Sequence, residues 1–161
     1  MILDEMKSLV TRVESKYSTL TLKFRYCTPQ EWTNELGLLA KNSKTDDMYP
    51  FFFVNSMSVR QTDDIVEIGE IVLATLSNAN WTAEQRKIKN FDAWLSPIYR
   101  YLKEAMELSK DFSLNDFGTR VDHLFYGKSG LYGYEGSLFN DRIDAIEIKN
   151  LKLRLYKKCY D

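Results

Sequence analysis

The stretch YGKSGLYGYEGS, residues 126–137, contains the tripeptide Gly127-Lys128-Ser129, which ends many phosphate-binding loops. Such a loop needs a glycine five residues before the Gly-Lys pair, so that successive backbone N–H groups can wrap the phosphates. Asp122 occupies that position, and its carboxylate repels a phosphate. The serine should also open a helix, whereas further glycines follow it at positions 130, 133 and 136. The pattern therefore excludes a P-loop, and we expect no nucleotide cofactor.

Candidates for metal or nucleophilic chemistry are sparse. His123 is the single histidine, and no cysteine or carboxylate accompanies it at the spacing of a zinc site. Cys27 could pair with His123 for nucleophilic catalysis, but nothing in the local sequence supports that pairing. No serine lies in a G-x-S-x-G turn. Cys27 and Cys159 are the two cysteines; they indicate a reducing compartment, and the sequence leaves open whether they form a disulfide.

Acidic residues occur in three pairs, Asp46-Asp47, Asp63-Asp64 and Asp141 with Asp144. The first two pairs lie in polar connections, where aspartate serves turn geometry, and the third lies at a strand entrance, where edge charge is common. Basic residues cluster around positions 86–89 and 152–158, each cluster being typical of the solvated face of its own element. We therefore expect no metal site, no catalytic residue and no small-molecule substrate, and predict that the protein is not an enzyme.

Composition sets the class of protein. The chain has 161 residues, 44% hydrophobic and 28% charged, which is typical of one globular domain with a real core. Aromatic residues reach 14%, and such residues are enriched at protein interfaces as well as in cores. The net charge of −1 provides no general attraction to nucleic acid or to an anionic membrane. No apolar run is long enough to span a membrane, and the N-terminal stretch is unlike a signal peptide.

The first half of the chain predicts a helix, a strand, a short helix and a hairpin. Three-and-four apolar spacing indicates an amphipathic helix over residues 2–17, and alternation indicates a strand over 19–27. Thr28 and Glu31 match a capping box that opens a short helix, which Gly37 should interrupt. The apolar run at 49–55 and the long run at 65–77 should pair across a polar turn. Gly69, inside the second run, predicts a bulge or a close backbone approach.

One long helix is predicted from about residue 83 to 109, opened by a capping box of Thr82 and Gln85. Apolar spacing predicts that one face is buried and that charged residues lie outside, and Pro97 should kink the helix. The predicted buried residues are Ile88, Phe91, Leu95, Ile98 and Leu102, and the predicted outer residues are Arg86, Lys89, Lys103 and Glu104.

The last third predicts a strand around residues 120–126 and a long strand near the C-terminus. Apolar positions in the long strand change from even to odd after Ile148, which requires an irregularity near Lys149-Asn150 or two successive strands. The element order predicts an α+β fold. Its antiparallel sheet should carry the N-terminal helix and the long helix on one face. Residues 1–161 should form a single domain with a flexible glycine-rich loop at about 127–137.

The glycine-rich segment is predicted to be an interface. Glycines recur every third residue between aromatics, without the proline or length of collagen. Long loops with exposed aromatics usually bind a partner or become ordered on assembly, although a plain mobile hairpin loop is the alternative. The predicted interface residues are Tyr126, Leu131, Tyr132, Tyr134 and Phe139.

The order of elements and a few short strings resemble the tail terminator, or tail-completion, proteins and related neck proteins of tailed bacteriophages. The strings are YPFFFV, EIVLATLS, FDAWLSPIYRYL and IDAIEIKNLKLRLY, and the resemblance covers most of the chain. It departs from the shortest family members in the insert between Cys27 and Tyr49 and in the glycine loop.

The resemblance implies a structural protein of the virion that is assembled in the host cytoplasm. It implies a six-fold or twelve-fold homo-oligomeric ring at the head–tail connection, in contact with other neck or tail proteins. Such a ring passes DNA without sequence-specific binding, and neither cofactor nor catalysis is expected. The alternative from the sequence is an intracellular protein-binding or regulatory module without catalysis.

Overall fold

The computed structural model describes residues 2–16, 21–41, 49–78, 80–115, 121–129 and 142–156. It confirms the α+β class: an N-terminal helix and a long helix pack on one face of a seven-stranded sheet. The helices are α1 (Ile2–Glu14), α2 (Pro29–Lys41), and a long helix made of α3 (Ala83–Arg86), a π-helical segment (Lys87–Leu95) and α4 (Ser96–Glu107). The strands are β1 (Lys23–Cys27), β2 (Phe51–Asn55), β3 (Val59–Thr62), β4 (Ile65–Ser77), β5 (Phe112–Asn115), β6 (Val121–Ser129) and β7 (Arg142–Leu155).

The two longest strands form the centre of the sheet. β4 and β7 pair antiparallel along almost their whole length. β2 and β3 both pair with the other edge of β4, while β5 and β6 both pair with the other edge of β7. β1 pairs with β2 in parallel, so one pairing departs from the predicted antiparallel sheet.

Two sequence predictions in the first half are wrong in detail. α2 begins at the predicted capping box, where the Thr28 N–H donates to Glu31 Oε2 (2.7 Å) and the Glu31 N–H donates to Thr28 Oγ1 (3.2 Å). It then continues through Gly37 instead of stopping there, since one glycine costs a helix only about 1 kcal/mol. The predicted polar turn contains β3, which forms a tight hairpin with β4 around Asp63, whose φ is 51°.

The long helix differs from a regular helix in the turn after its capping box. The capping box of Thr82 and Gln85 is present as predicted. Ile88, however, is 58% exposed instead of buried. Arg86 is half-buried and directed toward Asp144 instead of lying outside. The reason is the π-helical segment, whose wider turns rotate these side chains relative to an α-helix.

The remaining positions of the long helix follow the prediction closely. Its other predicted core residues are all buried, namely Phe91, Leu95, Ile98 and Leu102. Lys89 and Glu104 are exposed as predicted, and Lys103 is half-buried. Pro97 stands at the start of α4, immediately after the π-helical segment, where the Ser96 N–H bonds to the Phe91 carbonyl. Pro97, where the sequence predicts a kink, thus lies at a π-to-α transition.

The sheet has a hydrophobic core on each face. The larger core lies between the sheet and the helices α1 and α4. The smaller core lies on the opposite face, where Trp32 of α2 packs on Phe51 and Phe53 of β2. The ring centroids of Trp32 and Phe51 are 4.9 Å apart in an edge-to-face arrangement.

The buried face of both central strands switches at the predicted position. Ile68 and Ile71 both belong to the larger core, although regular alternation places residues three apart on opposite faces. The same change of parity occurs on β7 at Asn150, whose φ is 57°. In the pairing of β4 with β7, Gly69 and Asn150 have no register partner. A Cβ at Gly69 would stand 2.9 Å from the Cβ of Ser58, which confirms the predicted close approach. Register is kept because both strands switch together.

Candidate functional site

The predicted interface lies at the end of the β6–β7 hairpin. Tyr126 belongs to β6, within a register break between Phe125 and Lys128. Leu131, Tyr132, Tyr134 and Phe139 lie outside the residues that the structure describes. Ser129 pairs with Arg142, so residues 130–141 join two adjacent strands.

The first residues of the predicted loop belong to a strand. Gly127, Lys128 and Ser129 form the end of β6. A phosphate-binding loop requires this tripeptide at a turn that opens a helix, so its place in a strand removes the nucleotide-loop alternative.

The two residues considered for nucleophilic catalysis belong to strands that are far apart in the sheet. Cys27 is on β1 and His123 is on β6, with β2, β4 and β7 between these strands. At about 4.8 Å per strand, four strand spacings separate the two backbones by roughly 19 Å. Cys27 is a free thiol. Burial, followed by the charges of Glu31 and Glu35, raises its pKa, which disfavours the reactive thiolate.

The acidic pairs have structural surroundings. Asp64 lies in the β3–β4 turn, 3.7 Å from the Arg154 guanidinium. Asp144 is fully buried rather than exposed at a strand entrance, so that prediction is wrong. Its Oδ2 accepts a hydrogen bond from Asn90 Nδ2 (2.6 Å), and its Oδ1 lies 3.9 Å from Arg86 Nε. Asp46, Asp47 and Asp141 fall outside the described residues.

The sequence prediction missed a second buried acid, Glu147, which lies on the sheet face opposite α4. It is 4% exposed and sits beside Glu70 of β4. Lys149 Nζ lies 3.3 Å from Glu147 Oε1, and Asn55 Nδ2 donates to Glu70 Oε2 at 2.9 Å. His123 is the register partner of Glu147 on β6. The available signal was an acid inside an apolar stretch of each strand, Glu70 in IGEIV and Glu147 in AIEIK.

The Glu70–Glu147 pair holds a proton more tightly than a single carboxyl group does. Burial is the largest cause of the raised pKa of Glu147, and its hydrogen bond with the Glu70 carboxyl raises it further. The Lys149 ammonium opposes both effects. Two adjacent carboxyl groups share a proton because both cannot ionise cheaply in a poorly solvated place. The Glu147 carboxyl therefore keeps its proton to a higher pH than an exposed glutamate does.

We expect Glu147→Gln to stabilise the protein relative to the unmodified chain, increasingly as pH rises. A raised folded pKa means that the native state binds more protons than the unfolded state, so native stability is lost as pH rises through the interval up to that pKa. Glutamine stays neutral and keeps a donor for Glu70. Each pKa unit corresponds to about 1.4 kcal/mol. Urea unfolding across a pH series measures the difference.

Glu67→Gln is the matched control for this measurement. Glu67 also stands 3.3 Å from a lysine, Lys152, but its side chain is 45% exposed. Its substitution should change stability by less than about 0.5 kcal/mol at every pH. A pH-independent difference between Glu147→Gln and the unmodified chain contradicts the shared-proton interpretation.

Within the described ranges, no group of three or more His, Cys, Asp or Glu side chains is arranged to hold a metal ion. No described helix is both long and apolar enough to cross a membrane. No protein-family model, curated protein or solved structure matches the chain.

Proposed function

We propose that the protein is a structural, ring-forming subunit of the neck or tail of a tailed bacteriophage, similar to a tail terminator. The observation that carries the proposal is the order of elements. α1, β2, β4, the long helix and β7 follow one another in the order on which the resemblance is based. In this role the protein is not an enzyme. It takes part in the head–tail connection of the virion, after assembly in the host cytoplasm.

The proposed contact is the end of the β6–β7 hairpin. A ring requires two different complementary faces on each subunit, in head-to-tail contact. Tyrosines on a glycine-rich segment supply a large contact area and can conform to a partner. Tyr132 and Tyr134, with Tyr126, Leu131 and Phe139, therefore form the proposed contact with the adjacent subunit or the next ring. DNA passes through such a ring without sequence-specific contacts.

The test is the double substitution Tyr132→Ser with Tyr134→Ser. We expect it to impair ring or particle assembly while changing the unfolding free energy by less than about 0.5 kcal/mol, because in this proposal the two side chains contact a neighbouring subunit and not the core of their own domain. Native mass spectrometry measures the oligomer, electron microscopy of particles locates the protein, and urea unfolding measures stability. Tyr156→Ser, at a tyrosine that is exposed just after β7, is the control and should assemble normally.

Two outcomes contradict the proposal. Normal assembly of the double variant removes the hairpin end as the contact. A chain that remains monomeric or dimeric and is missing from the particles favours the alternative, an intracellular protein-binding or regulatory module without catalysis.

A further inference from the structure

A groove of about 280 Å³ lies between the C-terminal ends of α1 and α4. Val13, Ala105 and Leu108 supply its apolar lining. Leu108 follows the last turn of α4 and is 71% exposed, which is unusual for a leucine beside a packed helix pair. A segment that covers Leu108 would remove apolar surface from water, which is favourable by about 25 cal/mol of free energy per Å² buried.

The groove also carries charge of both signs. Arg12 and Lys16 line it on the α1 side, and Glu104 lines it on the α4 side. A complementary occupant therefore has an apolar centre, a cation directed toward α4 and an anion directed toward α1. The C-terminal end of α4 adds to the preference for a cation there, because the helix dipole is negative at that end.

The end of β7 lies beside the segment that follows α4. The Tyr156 N–H donates to the Asp111 carbonyl at 3.0 Å, and Leu155 pairs with Phe112 of β5. Asp111 follows α4 by a few residues, so Tyr156, the last described residue, lies close in the chain fold to the end of that helix. Residues 157–161 can span about 17 Å when extended, a length sufficient to cross between two packed helices 8–10 Å apart.

We propose that residues 157–161 occupy this groove, with Tyr160 against its apolar lining. The sequence of the segment is KKCYD. Lys157 and Lys158 come first, on the side of Glu104 and the end of α4. Asp161 comes last, on the side of Arg12 and Lys16. The alternation of charge and aromatic side chain thus matches the groove in the order in which the chain crosses it.

Cross-linking through the natural Cys159 tests this assignment. In a Cys27→Ala background, Cys159 is the remaining cysteine, and Leu108→Cys adds a thiol at the rim of the groove. Oxidation with copper phenanthroline should join the two thiols within one chain. Mass spectrometry of the digested protein identifies the link, and non-reducing electrophoresis separates monomer from dimer. Met57→Cys is the control, because Met57 is similarly exposed (76%) but lies between β2 and β3.

The expected result is an intrachain link about tenfold faster for Leu108→Cys than for Met57→Cys, because docking raises the effective concentration of Cys159 at the groove. Adding Lys157→Glu and Lys158→Glu should reduce that rate toward the control value. Equal rates for the two positions overturn the proposal. A link that forms between chains overturns it too, and assigns the groove to a second copy. Retention of the full rate after the double charge reversal rules out the proposed orientation of the segment.

Discussion

Leu95→Ala and Leu102→Ala are each expected to lower the unfolding free energy by about 2–5 kcal/mol, from lost burial and the cavity left behind. Both leucines are fully buried in the larger core, between the long helix and the sheet. Ile88→Ala, seven positions before Leu95 on the same predicted stripe, is expected to cost less than about 0.5 kcal/mol because its side chain is exposed. Urea unfolding of the three variants measures the contrast.

The contrast tests the π-helical segment directly. In a regular α-helix, Ile88 and Leu95 lie on one face and both substitutions are costly. A loss of more than about 2 kcal/mol at Ile88 therefore shows that the helix is regular around residues 87–95. Losses under half a kcal/mol at both leucines show that the buried face has been assigned wrongly.

Trp32→Ala is expected to destabilise the protein by about 3–5 kcal/mol, the usual range for removing a buried aromatic side chain. Trp32 is fully buried and forms the contact of α2 with β2, against Phe51 and Phe53. The Arg25 guanidinium of β1 lies 5.9 Å from the centroid of the Trp32 ring and forms an ion pair with Glu35 of α2 (2.8 Å). β1, β2 and α2 therefore meet at Trp32.

Trp32→Phe is the informative companion to the alanine substitution. Among buried side-chain polar atoms of the described residues, Trp32 Nε1 is the one without a hydrogen-bond partner. Phenylalanine removes that N–H and keeps most of the apolar contact, so a loss of about 1–2 kcal/mol is expected. Equal losses for Trp32→Phe and Trp32→Ala show that the indole N–H has a partner or that the full ring size is required. Thermal or urea unfolding distinguishes the outcomes.

Much of the fold follows from local chemistry in the sequence. A capping box needs only residues three apart, and both predicted boxes are present, at Thr28 and Thr82. Three-and-four spacing located α1 and the long helix, alternation located β1 and β7, and apolar runs of strand length located β2 and β4. These patterns are visible in the sequence because each depends only on residues that are close together in the chain. The change of parity after Ile148 likewise predicted the break in β7, since it is a property of one strand.

The sequence left undecided what depends on distant partners. Asn90 faces inward because the π-helical segment directs it to Asp144, 54 residues away, and this turns Ile88 outward. β3 reads as a polar turn, since the neighbouring β4 stabilises its backbone and its own side chains are mostly exposed. The Glu70–Glu147 pair exists only because β4 and β7 are in register. Short-range propensities therefore determine the helices and strands. The tertiary structure decides strand pairing and the partners of buried polar groups, because a charge buried without a partner costs too much free energy.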